Sequence, residues 1–349
     1  MTRAVVLKRE SSIPKTGLDR YADAVDRCLE AGGVEREEVE FNISMERGLL
    51  PLVVGGFIRP LASILRNRSR DVTVHATDEL CGIFFPLVRG RKVVTVHHVM
   101  KKGEYRGRLY YLAWSFATRV AVWSSDVVLT VSQDAMEDVK RHFNIDADKI
   151  AFMTHPPDPQ YRVVEGVKKE KVIGCMGSLI ARKNMSAALT AFSRLAGLPG
   201  MDGYELHICG DGPEKEALEK AAKRLGISGK VRFIASLSEE DMVLFYNRAS
   251  LIFNTSLHEG LGLVTPEAHR CGTPTLHLRG SRLPEHVVRA SVACDDEDDM
   301  ADRAYALLTD PAEYGVVAAA ALEHAESVGD RFAKALLDLY AGRGLGPGR

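Results

Sequence analysis

Two carboxylates, Glu259 and Glu267, stand with seven residues between them around a glycine-rich bend, His258-Glu259-Gly260-Leu261-Gly262-Leu263-Val264-Thr265-Pro266-Glu267-Ala268. The run before it, Leu251-Ile252-Phe253-Asn254, is apolar in the manner of a buried strand, and Thr265 followed by Pro266 is a strong helix start. The stretch therefore reads strand, bend, helix. The first N–H groups of such a helix lack partners within it and the macrodipole adds positive charge, so an anion is favoured there. Gly260 and Gly262 have no Cβ to keep a ligand off the backbone. Glu267 on the first turn and Glu259 before the bend can each accept from adjacent hydroxyls, which suits a ribose or a hexose. A structural alternative stands beside this: Glu267 complements the helix dipole and the glycines only make a turn.

Other candidates carry charge or a titratable ring. Arg182 and Lys183 follow an apolar strand at 172–176, and two adjacent cations can neutralise a diphosphate, the guanidinium gripping two oxygens at once. As a solvated helix start they would be misplaced, because cations are disfavoured at that end of the dipole. His97 ends the apolar strand Val93-Val94-Thr95-Val96, where a satisfied sheet-edge histidine is the alternative to a functional one.

These residues together resemble the retaining GT-B glycosyltransferases, family four in particular, whose Glu-x7-Glu motif Glu259 and Glu267 match. The resemblance includes Gly177-Ser178-Leu179-Ile180-Ala181-Arg182-Lys183-Asn184, Cys209-Gly210-Asp211-Gly212-Pro213, Val231-Arg232-Phe233, Leu283-Pro284-Glu285 and Val94-Thr95-Val96-His97. It implies an α/β, GT-B fold of two doubly wound Rossmann-like domains facing a central cleft. It also implies transfer of a hexose-type sugar from a nucleoside-diphosphate sugar to a saccharide, lipid-linked or small-molecule acceptor by a front-face mechanism. The family's roles then fall on particular residues. Arg182, Lys183 and the backbone N–H groups of Gly262, Leu263 and Val264 hold the phosphates, Glu259 and the Gly260 backbone orient the hexose, Glu267 takes the ribose, and Leu261 is among the donor-binding residues. His97 lies beside the donor sugar, Gly17 leaves room for the phosphates, and the base rests near Phe233, Ile234 and Leu237. Two departures are visible. His98 stands where relatives usually have Asp, and His155-Pro156-Pro157-Asp158 replaces their Asn-Gly-Val-Asp.

The elements that must position these groups follow from the chain's length and patterning. At 349 residues the chain exceeds what one core usually organises. The three prolines at 156, 157 and 159 and the polar stretch 166–170 place a linker. We expect residues 1–160 as an N-terminal, acceptor-binding Rossmann-like domain and 161–330 as a C-terminal, nucleotide-sugar-binding one. Residues 331–349 form a last helix that crosses back to the first domain, its end frayed from 342. In the first half, strands are expected near 4–7, 39–43, 72–75, 93–97, 127–131 and 150–153. In the second they fall at 172–176, 205–209, 231–234, 251–254, 275–278 and 292–294. Apolar strands alternating with helices imply parallel sheets covered on both faces, with ligands at the carboxyl ends of the strands.

Composition excludes several classes. A net charge of −1 and a pI near 6.8 speak against a general nucleic-acid binder. No run reaches the roughly 18 uncharged apolar residues of a spanning helix, and the N-terminus reads as strand rather than signal peptide. Six cysteines are scattered without a Cys-x-x-Cys pair and read as buried thiols of a cytoplasmic protein. One stretch points to a surface: from Arg89 to Arg119 there are eight Lys or Arg and one acidic residue, interleaved with Tyr105, Tyr110, Tyr111, Trp114 and Phe116. That mixture suits an anionic membrane face, with Arg59, Arg66, Arg68 and Arg70 as a second basic cluster after the apolar 48–58. A partly buried helix with a solvated basic face is the alternative.

Asp295-Asp296-Glu297-Asp298-Asp299 contains the Asp-x-Asp spacing that holds a divalent cation in other glycosyltransferase folds. Here it precedes an apolar-periodic helix and suits a helix N-terminus, so no metal and no cofactor beyond the nucleotide-sugar co-substrate are expected. Two rival functions stay open: a sugar-nucleotide epimerase of the same fold, and a non-catalytic nucleotide-sugar binder.

Overall fold

The computed structural model of the protein describes residues 3–10, 16–41, 54–67, 69–100 and 108–343, with the side chains of 54 and 108–110 set aside. By its internal contacts the chain divides into two compact units, one of residues 1–155 and 330–349 and the other of 156–329.

The first unit carries six parallel strands: β1 (Arg3–Arg9), β2 (Arg36–Phe41), β3 (Val72–Ala76), β4 (Arg91–Val96), β5 (Val127–Thr130) and β6 (Ile150–Phe152). Their order is β2-β1-β3-β4-β5-β6. Central strands are apolar on both faces because helices cover both. Every residue of β3 is buried, as are Ala4 to Leu7 of β1. β2 differs from the expected 39–43 by starting at Arg36. Only Val39 and Phe41 of Arg-Glu-Glu-Val-Glu-Phe turn inward, so apolar pattern marks half of an edge strand whose charged residues face out. Its expected end at 42–43 lies outside the described residues.

Helix Gly17–Ala31 shows how sequence sets these elements. Thr16 caps it, with its N–H donating to Asp19 Oδ2 at 2.7 Å and its side chain accepting from Asp19 N–H, a reciprocal capping box. Tyr21, Val25, Cys28 and Leu29 then recur at helical spacing and are buried.

The second unit repeats the plan with β7 (Val172–Met176), β8 (Glu205–Cys209), β9 (Val231–Ile234), β10 (Leu251–Asn254), β11 (Thr275–Leu278) and β12 (Val292–Cys294). The parallel order is β12-β11-β10-β7-β8-β9. Its core joins Ile173, Leu206, Ile208 and Phe253 of the sheet to Leu189 and Phe192 of helix Met185–Leu195. Helix Pro311–Tyr340 begins in this unit, and its turns from Asp330 onward are counted with the first. There Tyr340 Oη meets His75 Nδ1 at 2.9 Å.

Each sheet has one place where strand order reverses direction, between β1 and β3 in the first and between β7 and β10 in the second. Loops leaving the carboxyl ends of such a pair diverge to opposite faces and open a crevice, the usual ligand position in doubly wound sheets.

Candidate active site

The second sheet's reversal point gathers the predicted cations and one of the glutamates. The chain leaves β7 through Gly177, makes a short 3-10 turn at Ala181–Lys183, and enters helix Met185–Leu195 after Asn184 in the left-handed region at φ 48°. A Cβ on Gly177, at φ 141°, would lie 3.0 Å from Lys183 Cε, so glycine is what lets the lysine stem fold back over the strand end. The loop leaving β10 is stitched to this turn: Thr255 Oγ1 donates to Lys183 O at 3.1 Å and Leu257 N–H to Arg182 O at 2.9 Å.

Within that frame the Glu259 carboxylate receives Lys183 Nζ on Oε1 and Arg182 on Oε2 at 3.2 Å, and Ser256 Oγ donates to Oε1 at 2.7 Å. Burial by itself would raise the Glu259 pKa, but Lys183, the Lys183 and Ser256 hydrogen bonds and Arg182 outweigh it and hold the carboxyl below its ordinary range. Glu259 is buried and the Lys183 side chain is 12% exposed, whereas the Arg182 side chain is 43% exposed and can reach for a ligand. The roles read from sequence put Glu259 on a sugar and the cations on phosphate. In this structure the three satisfy one another.

The bend after Glu259 is set by Gly262 at φ 63°, where a Cβ would come 2.5 Å from Val287 Cγ2. Helix Val264–Arg270 starts two residues earlier than expected, with Leu263 rather than Thr265 at the cap and no side-chain capping bond. The Thr265 hydroxyl is not a cap because it accepts from Asn254 Nδ2 at 3.0 Å, tying the helix to the end of β10. Gly262 and Leu263 thus lead directly into the helix that Val264 begins, and Leu261 lends its carbonyl to His286 Nε2 at 3.2 Å. Glu267, 4% exposed, accepts from the Tyr246 hydroxyl on Oε2 at 3.1 Å. Near the end of β9, Phe233 packs against the core, so its ring is committed there while Ile234 and Leu237 remain half-buried.

His97 and Gly17 belong to the first unit. Gly17 is the first residue of helix Gly17–Ala31. His97 directly follows β4 and is buried, while His98 beside it is exposed. The His97 Nε2–H donates to Thr77 O at 2.9 Å, and the Tyr21 ring meets the imidazole edge-on with centroids 5.0 Å apart. Burial pushes its pKa down to about 4, so the ring is neutral at pH 7 and its Nδ1 lone pair, which has no protein partner, is an acceptor.

The chain matches the model of the glycosyl transferases group 1 over residues 158–324 and that of glycosyltransferase family 4 over 23–160. The chain belongs to the group 1 and family 4 glycosyltransferases. A D-inositol 3-phosphate glycosyltransferase of Corynebacterium urealyticum is 29% identical over 62% of this chain and 57% of its own length. The serotype-specific mannosyltransferase WbdA of Escherichia coli is 27% identical over 56% of this chain and 26% of its own. The chain therefore spans well under two thirds of these curated relatives. Among solved structures, a glycosyltransferase of Rickettsia africae superposes with a TM-score of 0.71 at 12% identity, covering 98% of this chain and 99% of that one. HepE of Anabaena, solved in complex with UDP, gives 0.67 at 17% identity over 97% and 98%. The fold is GT-B.

Several groups of this chain escape sequence reading. Ser256 and Tyr246 belong to no motif quoted above, yet they hold the two glutamates. The only local signal for Ser256 was a hydroxyl residue just past the carboxyl end of a strand. At the reversal point of the first sheet, Arg9 pairs with Asp78 at 2.8 Å, and Glu79 Oε1 accepts from Trp114 Nε1 at 3.0 Å. Burial, reinforced by the Asp78 charge, raises the Glu79 pKa to about 8, so it is a neutral acid at pH 7.

Trp114 therefore does not join an outward aromatic face, as the reading of 89–119 supposed: it is 1% exposed because its indole serves Glu79. Tyr105, Arg68 and most of 48–58 lie outside the described residues, as does the Tyr110 side chain. Of the stretch expected to fray from 342, Gly342 and Arg343 are held by backbone hydrogen bonds to Leu339 O and Asp338 O, and 344–349 lie outside the described residues. In the acidic run, Asp296 caps helix Glu297–Thr309 by accepting from Asp299 N–H at 2.8 Å, Asp299 pairs with Arg303 and Asp295 with Arg279. All six cysteines are buried and free.

Proposed function

We propose that this glycosyltransferase moves a hexose-type sugar from a nucleoside diphosphate to an acceptor hydroxyl with retention of configuration. The observation that carries this reading is the Lys183–Glu259–Arg182 cluster at the carboxyl ends of the two reversal-point strands. A diphosphate entering there meets two cations held in place by a buried carboxylate, so no reorganisation is needed when charge builds on the leaving group. The N–H groups that open helix Val264–Arg270 add to that stabilisation.

In this reading the bond between the anomeric carbon and the phosphate oxygen breaks as the acceptor oxygen bonds to that carbon on the same face. The acceptor hydroxyl proton passes to the departing phosphate oxygen, which leaves as nucleoside diphosphate. Glu259 orients the sugar, Glu267 holds the ribose, and His97 keeps the sugar-facing part that the resemblance gives it. UDP in the related HepE supports a nucleoside diphosphate as donor carrier. Purified chain incubated with a panel of UDP-, GDP- and ADP-sugars and polyol acceptors should release nucleoside diphosphate only when acceptor is present. The product anomer, read by NMR coupling constants, should match the donor's. Sugar-nucleotide conversion without acceptor would identify an epimerase, and donor binding without turnover a non-catalytic binder.

A peripheral membrane role is favoured by one face of helix Arg108–Ser124. Leu112, Phe116 and Trp123 are 52%, 64% and 57% exposed and fall on one side, with the Arg119 guanidinium 5.8 Å over the Trp123 ring. Apolar side chains beside a cation, in a stretch with eight basic residues and one acid, suit the headgroup region of an anionic leaflet.

A further inference from the structure

We infer that Tyr246 is a positioning residue for ribose recognition, fixing the Glu267 carboxylate so that the site discriminates ribonucleotides from nucleotides lacking the ribose hydroxyls; this rests on the reading of Glu267 as the ribose ligand.

The tyrosine is itself fixed from several sides. Its backbone carbonyl accepts from Thr273 Oγ1 at 2.5 Å and from Lys169 Nζ at 3.3 Å. The next residue, Asn247, donates to Arg162 O and Val243 O, both at 2.9 Å, and accepts from Val164 N–H at 2.8 Å. The ring is fully buried between Tyr161 and Phe245, with centroids 5.8 and 6.1 Å away. None of these contacts involves the phenol oxygen, so its position does not depend on what it binds.

That oxygen has one proton and two acceptors in reach, Glu267 Oε2 at 3.1 Å and Met176 Sδ at 3.2 Å. A carboxylate is much the stronger acceptor, so the proton goes to Glu267. Burial and the neighbouring carboxylate push the phenol pKa well above its ordinary value, which keeps the group a donor at every working pH. The last torsion of a glutamate side chain is broad, and a hydrogen bond to one of its oxygens narrows it. With Oε2 pinned, the direction in which the group presents acceptors to a vicinal diol is set before any ligand arrives, and the ligand does not bear the ordering cost. The phenol touches no ligand itself; its effect runs through Glu267.

The test measures affinities for UDP, GDP and ADP and for their 2′,3′-dideoxy counterparts by calorimetry, and takes the ratio within each pair. The wild type should favour the ribonucleotide by about tenfold or more. In Glu267→Ala that ratio should collapse toward unity. In Tyr246→Phe it should fall several-fold through loss of ribonucleotide affinity, with the dideoxy affinity unchanged. Met176→Leu, which alters packing around the hydroxyl but keeps the Tyr246–Glu267 bond, should leave the ratio at the wild-type value. A Tyr246→Phe ratio within twofold of wild type, whether or not both affinities fall together, overturns the inference. A Glu267→Ala ratio equal to wild type overturns instead the ribose reading beneath it.

Discussion

Lys183 and Glu259, 76 residues apart in sequence, meet as an ion pair with side chains 12% and 10% exposed, because β7 and β10 are neighbours in the second sheet and each residue lies in the loop that its strand releases. Removing one partner strands a charge away from water, whereas removing both does not. Lys183→Met should therefore destabilise the protein by about 3 kcal/mol or more, and Lys183→Met with Glu259→Gln should recover most of that loss. Neither should turn over donor at more than about a hundredth of the wild-type rate, since the Lys183 charge that stabilises the leaving phosphate is gone from both. Urea melts paired with donor-turnover assays check this; equal destabilisation in single and double variants would refute the pairing.

Arg182 shares the same carboxylate but is 43% exposed, so water already screens it. Arg182→Ala should cost less than about 1 kcal/mol of stability while lowering kcat, because its charge matters when the phosphate leaves. The measurement is again a melt beside kcat and KM. A large stability loss with unchanged kcat would make Arg182 structural.

Glu79 predicts a pH dependence with a definite sign. Its folded pKa of about 8 lies above the ordinary 4.5, so between those values the folded state keeps a proton that the unfolded state releases. Its contribution to stability is therefore full below 4.5, declines as pH rises, and is lost above about 8. Glu79→Gln keeps an acceptor for Trp114 Nε1 and a donor at the other atom, but does not titrate. The stability of the variant relative to wild type should rise from about pH 4.5 to about pH 8 and then level off, measured by urea titration. A constant difference would contradict the neutral acid.

Metal independence follows from the proposed phosphate site, where Arg182, Lys183 and a helix start supply the positive charge. Activity should survive excess EDTA, and Asp296→Asn with Asp298→Asn should leave kcat/KM within a few-fold, under about 1 kcal/mol. Because Asp296 caps a helix, the same variant should lower Tm. Abolition of turnover by EDTA with restoration by Mg²⁺ or Mn²⁺ would overturn the phosphate site.

The proposed membrane docking rests on exposed Phe116 reaching the headgroup region. Phe116→Asp should abolish co-sedimentation with vesicles containing about a third phosphatidylserine, and wild-type binding should fade as salt rises to physiological strength. Binding that persists on neutral vesicles or in Phe116→Asp would remove the surface assignment.

The sequence by itself determined the alternation of strands and helices, both parallel sheets and the short segments that carry Arg182, Lys183, Glu259, Glu267 and His97. Those features are local: apolar runs of strand length, capping residues such as Thr16, and glycines at bends are set within a few residues of themselves. The short-range pattern misplaced only what a neighbour overrides. β2 reaches back to Arg36 because β1 pairs with it there, and Thr265 is no cap because Asn254 claims its hydroxyl. Partnership was decided by tertiary structure alone. No spacing connects Tyr246 to Glu267, Ser256 and Lys183 to one carboxylate oxygen, or Trp114 to Glu79, because each pair is joined through elements that lie apart in the chain. Protonation state follows partnership and burial, so the neutral Glu79 and the lone pair on His97 Nδ1 were also settled only when the sheets had closed around them.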